Sequence, residues 1–390
     1  MKRIILLLAA FAMVASVCFA QNGGHIVINN DNYDANSADV DSISATGALK
    51  FYKNEATGGV GLGGGYFAAP RNAIASNLKC AWVTDAGSSD IASFSIADGG
   101  KTITLTGNFS NGSLSGDAYG IGVAVSPDGK YLYSAWSGSL NLAVLSVASN
   151  CTLTLVGSPI SEPDYVADIA IPTSGNVLVV SFPNDGGAQA YSINKSTGAL
   201  TALGSELVFS NVVSECSDIG CYPTGEDTDA TGAYWVWGNA TLSGPYDLTA
   251  TLGSDGSWSN VATTAFSSSG LQNVECPWFS PAGRAGTGLL YLGASGFGTG
   301  YPAGIIAVGF SGGNYTYESA VVNNNAYYAG NVQGAGKSGT GSPLAQIVYT
   351  AEGVNEVQSY TVSGTTLTPV ATLATTSTAG IALSLNAVDK

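Results

Sequence analysis

The sequence predicts an all-β fold, a single closed seven-bladed β-propeller of four-stranded blades with one blade stitched from both termini. Three observations lead to this prediction: a composition that favours strands and turns, a hairpin turn of recognisable chemistry, and repetition of that hairpin along the chain. The 390 residues include 52 glycines, and charged residues make up only 10 % against 45 % hydrophobic ones. Such a composition favours β-strands joined by tight turns over helices or disorder.

The hairpin turn is clearest in residues 125–133, which read VSPDGKYLY. A strand pattern runs into the turn and leaves it again after Gly129. Pro127 fixes the backbone angle that the turn needs, and Gly129 is suited to the left-handed position that closes the hairpin. We therefore predict that this segment is structural and not part of a functional site.

The same pattern of four strands joined by turns is repeated along the chain. Its copies cover residues 74–107, 125–157, 169–204, 227–262, 278–320 and 339–371. The apolar second strands begin near Ala81, Tyr131, Val177, Tyr234, Leu289 and Gln346, a step of about 45–57 residues. That period is typical of propeller blades and not of helical repeats, whose apolar residues would be spaced by about 3.6.

The two ends of the chain complete a seventh blade. Residues 25–54 carry the pattern of a second, third and fourth strand without a first, and residues 380–388 carry a first strand with nothing after it. Pairing these segments closes the ring and removes the exposed edges that an open array would leave.

Residues 1–20 are predicted to be a secretory signal peptide, and residues 21–390 to form the propeller domain. A short basic start precedes an apolar run, and small residues surround the expected cleavage after Ala20. A lipid anchor on Cys18 is the less favoured alternative, because the preceding valine is bulky. No later stretch is long and apolar enough to span a bilayer. We therefore expect an exported protein, periplasmic or extracellular.

The chain is strongly acidic. Its 12 basic and 27 acidic residues give a net charge of −15, and loss of Lys2 and Arg3 with the signal peptide would leave −17. This charge argues against nucleic acid or an anionic membrane as the partner, whereas cations, neutral sugars and basic proteins remain compatible.

Five cysteines remain after the signal peptide, and export would permit them to form disulfides. They are Cys80, Cys151, Cys216, Cys221 and Cys276. The stretch ECSDIGC allows a small Cys216–Cys221 loop, and Cys221–Cys276 is a competing pair that the sequence leaves open. The odd number leaves at least one thiol without a partner in the chain. Their spacing, with a single histidine, argues against a zinc site.

The turns and strand ends resemble those of the YVTN-repeat and lactonase-like seven-bladed propellers. The resemblance is carried by the SPDG hairpin, by segments such as AWVTDAGSSDIASFSI and VINNDNYDANSADVDSI, and by ends such as STGALTALG, and it covers nearly all of residues 25–390. For members of the 6-phosphogluconolactonase type it implies ionisable residues in a central channel. Those members commonly carry a Pro-His pair before the innermost strand, whereas the corresponding stretches here contain no histidine.

The candidate site consists of ionisable and aromatic residues on or beside the predicted innermost strands, which line the channel. Glu226 and Glu275 are candidates for activating water, and Arg71 for holding a substrate carboxylate or a developing negative charge. Four further residues are expected to contact a ligand, and they are Asp168, Asp227, Tyr222 and Trp278. The structural alternative is that these charges are paired at a wet channel mouth.

Two other features are interpreted as structural. His25 is the only histidine, and we interpret it as a partly exposed residue at a strand end and not as a catalytic base. The acidic stretches NNDNYDANSADVD and GEDTDATG lack the spacing of a calcium loop, so Asx turns are the preferred interpretation. We therefore expect no cofactor, and a divalent cation such as Ca²⁺ has no supporting motif.

Three functions are compatible with these features. The leading hypothesis is a ligand- or protein-binding module that uses the channel or the loop face, because a rigid ring displays many loops. The alternative is a hydrolase that opens a sugar lactone, and the third is a structural or adhesive surface protein. The expected partner is a small sugar or lactone, or a protein, and we expect a monomer.

Overall fold

The computed structural model describes most of the chain after the predicted signal peptide. The described residues are 24–44, 46–63, 71–116, 120–214, 216, 221–229, 231–239, 246–265, 280–283, 289–294, 303–311, 314–323, 329–334, 348–352, 355–363, 366–376 and 384–389. Residues 1–20, Glu275, Cys276 and Trp278 therefore lie outside the described residues. Within those ranges, no helix has the length and apolar character needed to cross a membrane.

The chain forms seven antiparallel sheets, here numbered as blades in chain order. Blade 1 contains β1 (Gly24–Asn29), β2 (Ser37–Ile43) and β3 (Leu49–Ala56). Blade 2 contains β4 (Asn72–Ile74), β5 (Cys80–Asp85), β6 (Asp90–Ala97) and β7 (Thr102–Ser110). Blade 3 contains β8 (Ile121–Val125), β9 (Tyr131–Trp136), β10 (Asn141–Val147), β11 (Leu153–Leu155) and β12 (Ile160–Ser161).

Blades 4 and 5 carry the candidate site. Blade 4 contains β13 (Asp168–Ala170), β14 (Val177–Phe182), β15 (Gly187–Ile193), β16 (Leu200–Ala202) and β17 (Leu207–Val208), followed by a 3-10 helix, Phe209–Asn211. Blade 5 contains β18 (Pro223–Thr228), β19 (Tyr234–Asn239), β20 (Tyr246–Leu252) and β21 (Trp258–Ala265).

The remaining strands form blades 6 and 7 and return to blade 1. They are β22 (Ser280–Gly283), β23 (Leu289–Ala294), β24 (Ala303–Ser311), β25 (Asn314–Asn323), β26 (Ala329–Gly334), β27 (Val348–Glu352), β28 (Glu356–Ser363), β29 (Thr366–Ala374) and β30 (Ser384–Asp389). The predicted second strands are confirmed, because β5, β9, β14, β19, β23 and β27 begin within two residues of the expected positions.

The last strand closes the ring. β30 pairs antiparallel with β1, so that blade 1 has the order β30, β1, β2, β3 from the centre outward. The innermost strands also contact one another in an unbroken circuit, from β30 through β4, β8, β13, β18, β22 and β26 back to β30. The predicted seven-bladed propeller with a blade stitched from both termini is therefore confirmed.

A polar clamp joins the end of blade 7 to blade 1. The backbone N–H of Thr376 donates to Oδ2 of Asp39 at 2.7 Å, and its hydroxyl donates to Oδ1 of the same carboxylate at 2.5 Å. The amides of Asn30 and Asn54 donate to the Thr376 hydroxyl at 3.0 and 2.7 Å. Asp39 is completely buried, so these contacts satisfy a carboxylate that would be costly to bury alone.

The hydrophobic core lies between the blades. Apolar side chains of β5 and β9 meet between blades 2 and 3, and those of β14 and β19 meet between blades 4 and 5. Trp82, Trp136, Trp235 and Trp237 are each at most 1 % exposed. The prediction that most tryptophans pack between blades is confirmed for these four residues.

Two disulfides link parts of this core. Cys216–Cys221 closes the small loop that the sequence allows, so the competing Cys221–Cys276 pair is not formed. The second bridge joins Cys80 on blade 2 to Cys151 after β10 of blade 3. This bridge is not evident from the sequence, because 71 residues separate the two cysteines and only the stacking of neighbouring blades brings them together.

Candidate functional site

Two acidic residues predicted for the site meet where the innermost strands of blades 4 and 5 lie side by side. Asp168 is the first residue of β13, and Glu226 lies in the middle of β18. Oδ2 of Asp168 accepts the backbone N–H of Glu226 at 2.6 Å, and Oδ1 accepts the N–H of Ile169 at 2.7 Å. Asp168 and Glu226, which are 58 residues apart in sequence, are therefore in direct contact at this junction.

The Glu226 side chain is anchored by a tryptophan on the adjacent strand. Glu226 and Trp237 are paired across β18 and β19, and the indole N–H donates to Oε2 at 2.8 Å. Glu226 is only 4 % exposed, and its Oε1 is buried with no hydrogen-bond partner among the described residues. A bulge between Pro223 and Gly225 lies just before it, and such bulges redirect the side chains that follow.

Burial favours the protonated form of the Asp168 and Glu226 carboxyl groups. Loss of solvent raises the pKa of Asp168 to about 8, with a further contribution from the charge of Asp227. Burial, followed by the nearby charge of Asp168, raises the pKa of Glu226 well above its ordinary value. Both side chains are thus favoured in the neutral form near neutral pH, because a carboxylate without solvent or a cation is unfavourable.

Asp227 follows Glu226 on the same strand and therefore points to the opposite face of the sheet. Its Oδ1 accepts the N–H of Thr228 at 2.7 Å. The residue is half-buried, and burial raises its pKa to about 7. Asp227 therefore changes its protonation near neutral pH, which is the property required of a general acid or base.

Arg71 lies elsewhere on the ring, immediately before β4 of blade 2. Its guanidinium contacts Asp31 of the β1–β2 loop, with 3.1 Å between Nη1 and Oδ2. Both side chains are at most 1 % exposed. The guanidinium also lies against Gly120 at the start of blade 3, where a Cβ atom would come within 3.2 Å of its carbon. These contacts tie Arg71 to blades 1 and 3, whereas Asp168 and Glu226 join blades 4 and 5.

Of the other predicted ligand contacts, the structure describes Tyr222. It precedes β18 and is 41 % exposed. Glu275 and Trp278 lie outside the described residues, so their predicted roles stay predictions.

The interpretation of His25 as partly exposed is wrong, because the residue is only 8 % exposed. It is the second residue of β1 and pairs with Ser42 on one side and Val388 of the last strand on the other. Its ring packs over Gly100, where a Cβ atom would collide with it.

The acidic stretch after β1 forms a network of amide hydrogen bonds. The Asn29 side-chain oxygen accepts the N–H of Asp31 at 2.9 Å, and the Asn36 oxygen accepts the N–H groups of Asn32 and Ser37 at 3.1 and 2.8 Å. These are the Asx contacts expected from the sequence. Among the described residues, no group of three or more His, Cys, Asp or Glu side chains is arranged to hold a metal ion.

Several buried carboxyl groups were not singled out in the sequence. Burial raises the pKa of Asp41 and of Asp85 to about 8, and that of Glu162 to about 7. Asp85 accepts hydrogen bonds from Asn36 and Thr57, and Glu162 accepts the Tyr191 hydroxyl at both of its oxygens. No local motif marks these residues, because their burial is produced by contacts between distant segments.

Residues 67–215 match the family model described as lactonase, 7-bladed beta-propeller. These residues include Arg71 and Asp168, together with all of blades 2 and 3. The predicted resemblance to lactonase-like propellers is confirmed.

Solved structures show a likeness that covers nearly the whole chain. A periplasmic gluconolactonase of Pseudomonas aeruginosa superimposes with a TM-score of 0.66 over 94 % of this chain and 99 % of its own, at 12 % identity. A 6-phosphogluconolactonase-type protein of Bacteroides uniformis gives a TM-score of 0.69 over 94 % and 100 %, at 11 % identity. At such low identity the comparison shows the fold alone. Among curated proteins, no sequence match to this chain is found.

The buried carboxyl groups predict an unusual dependence of folding stability on pH. For groups such as Asp168, the folded pKa of about 8 exceeds the unfolded value of 3.8, so the folded state binds more protons than the unfolded chain between these values. Their contribution to stability is complete below about pH 4 and is lost as the pH rises through about 8. We expect the free energy of unfolding, measured by urea denaturation, to fall by at least about 2 kcal/mol between pH 5 and pH 9.

Two variants test the origin of this dependence. Glu226→Gln resembles the protonated side chain and keeps an acceptor for Trp237, so it should reduce the slope of stability against pH. Asp255→Asn is the matched control, because Asp255 is exposed in a turn of blade 5 and its pKa is lowered by hydrogen bonds from Ser257. A wild-type stability that rises from pH 5 to pH 9 would contradict the assignment.

Proposed function

We propose that the protein is a hydrolase that opens a lactone beside the carboxyl groups of blades 4 and 5. The observation that carries this proposal is Asp227, a half-buried carboxyl group on an innermost strand whose pKa is raised to about 7. The match of residues 67–215 to a lactonase family model supports the same reaction class. One of the two similar structures is named as a gluconolactonase and the other as a 6-phosphogluconolactonase, which makes a sugar lactone the first substrate class to test.

In the proposed reaction, ionised Asp227 accepts a proton from water as the water oxygen attacks the lactone carbonyl carbon. The tetrahedral intermediate then collapses with cleavage of the ring carbon–oxygen bond, and the proton passes from Asp227 to the leaving oxygen. The products are a free hydroxyl and a carboxylic acid on one molecule. Asp227 is thus restored, and one water is consumed for each ring opened.

The neighbouring carboxyl groups have a different role from Asp227. Glu226 has a pKa well above its ordinary value and is held by Trp237, so we assign the water-activating role to Asp227 and not to Glu226. Asp168 and Glu226 are positioning residues. Asp168 fixes the backbone of β18 through the N–H of Glu226, and its charge contributes to the raised pKa of Glu226.

A binding module without catalysis is the second candidate, and the surroundings of Arg71 favour it. The guanidinium is buried and paired with Asp31, so holding a substrate carboxylate or a developing oxyanion would require it to exchange that partner. If no other donor stabilises the oxyanion, a sugar or lactone would bind beside blades 4 and 5 without being opened.

Export is proposed for the same protein. The Cys80–Cys151 and Cys216–Cys221 bridges support it, because disulfides persist in oxidising compartments, and one structural neighbour is named as periplasmic. N-terminal sequencing of the protein recovered outside the cytoplasm should begin at Gln21, and recovery with an intact N-terminus inside the cell would contradict the proposal.

Lactone hydrolysis should depend on Asp227. With glucono-δ-lactone and 6-phosphogluconolactone, acid release by the wild-type protein should be saturable and should rise with pH through about 7, as Asp227 loses its proton. Asp227→Asn removes the base and should lower kcat about 10²–10⁴-fold. Asp98→Asn, in an exposed turn of blade 2, is the matched control and should retain full activity.

The outcomes separate the two candidate functions. Turnover that survives Asp227→Asn would remove the base assigned here. Saturable binding of a lactone by calorimetry, with no turnover above the uncatalysed rate, would leave the binding module as the function.

A further inference from the structure

The connection between blades 2 and 3 begins with Asn111 and Gly112, directly after β7. An Asn-Gly pair occurs twice in the sequence, at residues 22–23 and 111–112, and the structure describes the second pair. Asn111 is half-buried, whereas Gly112 and Ser113 are exposed. The space over Gly112 is open, because a Cβ atom placed there would have no neighbour within 4 Å. Water and hydroxide therefore have access to this dipeptide.

The side-chain carbonyl of Asn111 accepts two hydrogen bonds. The backbone N–H of Ser113 donates to Oδ1 at 3.0 Å, and the hydroxyl of the same residue donates to it at 2.9 Å. These donors polarise the amide carbon Cγ, and they would stabilise the negative charge that develops on Oδ1 when a nucleophile adds to Cγ. The amide nitrogen Nδ2 makes no hydrogen bond with the described residues, so it is free to leave.

The backbone nitrogen of Gly112 is the nearest nucleophile in the chain. Its N–H makes no hydrogen bond with the described residues. The turn around it is nevertheless fixed, because the N–H of Leu114 donates to the Asn111 carbonyl at 2.8 Å and the Leu114 side chain is only 3 % exposed. Attack of the Gly112 nitrogen on Cγ closes a succinimide ring, and a fixed turn keeps the two reacting groups close together.

Asn150 has the same pair of donors but lacks the free nucleophile. Its Oδ1 accepts the N–H and the hydroxyl of Thr152 at 3.4 and 2.8 Å. The next residue, Cys151, is only 2 % exposed, and its N–H already donates to the Ala148 carbonyl at 2.8 Å. Ring closure at Asn150 would therefore require this hydrogen bond to break inside the packed core.

Asn194 lacks the glycine. Its Oδ1 accepts the N–H groups of Ser196 and Thr197 at 3.0 and 3.3 Å, but the residue that follows it is Lys195. A side chain at that position hinders the approach of the backbone nitrogen to Cγ, whereas glycine has no Cβ atom. Of these three asparagines, Asn111 alone combines a polarised carbonyl, a free backbone nitrogen and a following glycine.

We propose that Asn111 is a site of spontaneous deamidation in the folded protein, assisted by Ser113. The Gly112 nitrogen loses its proton to hydroxide and attacks Cγ, the bond from Cγ to Nδ2 breaks, and ammonia leaves with a proton from water. Water then opens the succinimide. Cleavage of its bond from Cγ to nitrogen gives aspartate, and cleavage of the bond from the main-chain carbonyl carbon to nitrogen gives isoaspartate.

Each deamidation consumes one water, releases one ammonia and adds one negative charge to the chain. The isoaspartate product also lengthens the main chain of the turn by one carbon atom. This modification is independent of the lactone hydrolysis proposed above.

Incubation of the full-length mature protein at pH 7 and pH 9, followed by peptide mapping with mass spectrometry, tests the proposal. Asn111 should be converted at least about tenfold faster than Asn150 and Asn194, and faster at pH 9 because hydroxide removes the Gly112 proton. An isoaspartate methyltransferase should label the product peptide. Ser113→Ala removes one donor to Oδ1 and should slow conversion about threefold to tenfold. Ser113→Thr keeps the hydroxyl and should convert at the wild-type rate.

The same measurement on the protein unfolded in urea separates the effect of the turn from that of the dipeptide. Asn111 should be converted at least as fast in the folded protein as in urea, and Ser113→Ala should have no effect on the unfolded chain. Both variants should keep the wild-type melting temperature within a few degrees. Conversion of Asn111 no faster than that of Asn150 would overturn the proposal. Slower conversion in the folded protein than in urea, or a wild-type rate in folded Ser113→Ala, would also overturn it.

Discussion

Pairing of the last strand with the first closes the ring of blades and so allows every blade to be packed between two others. Ser384–Asp389 lies innermost in blade 1, against Gly24–Asn29, and it contacts the innermost strands of both neighbouring blades. Each blade buries its faces only because another blade lies on either side. Without this strand blade 1 would lose its innermost strand, and the fully buried Ile26 and Ile28 would lose their strand partners Ala387 and Leu385.

Closure of the ring also brings ionisable side chains from distant parts of the chain into contact. The innermost strands of neighbouring blades lie side by side, so side chains of both blades are buried between them. Asp168 and Glu226 are separated by 58 residues but are joined by a hydrogen bond. Solvent is excluded from both, and no cation of the described residues forms an ion pair with either. The protons that they retain are therefore a consequence of how the blades pack, and the same packing brings Asp227 into a pKa range useful for catalysis.

The features that could be predicted from the sequence are those that depend on residues close together in the chain. At the hairpin of blade 3, Gly129 has the expected left-handed backbone with a φ of 70°, and its N–H donates to the Ser126 carbonyl at 2.8 Å. The repeat of this hairpin predicts the strand starts, because the turn and the alternation of apolar residues act within a few residues. The placement of Asp168, Glu226 and Asp227 on innermost strands followed from the same repeat.

Features that depend on contacts between blades escaped prediction. Nothing in the residues around Arg71 indicates that Asp31, from the neighbouring blade, neutralises it. The Cys80–Cys151 bridge and the burial of the His25 ring against Gly100 of blade 2 have the same origin. The repeat in the sequence predicts where each blade begins. It does not predict which side chains meet across a blade junction, because those contacts depend on how the two sheets are rotated and stacked.

The junction of blades 4 and 5 holds protonated carboxyl groups in the folded protein near neutral pH. Infrared difference spectroscopy of the folded protein between about pH 6 and pH 9 observes these protons directly, through the carbonyl stretch of a neutral carboxyl group. We expect a band of buried carboxyl groups at pH 6 that disappears toward pH 9 and is partly absent in Asp168→Asn. A spectrum at pH 6 in which Asp168 is already ionised, so that the variant and the wild-type protein show the same band, would contradict it.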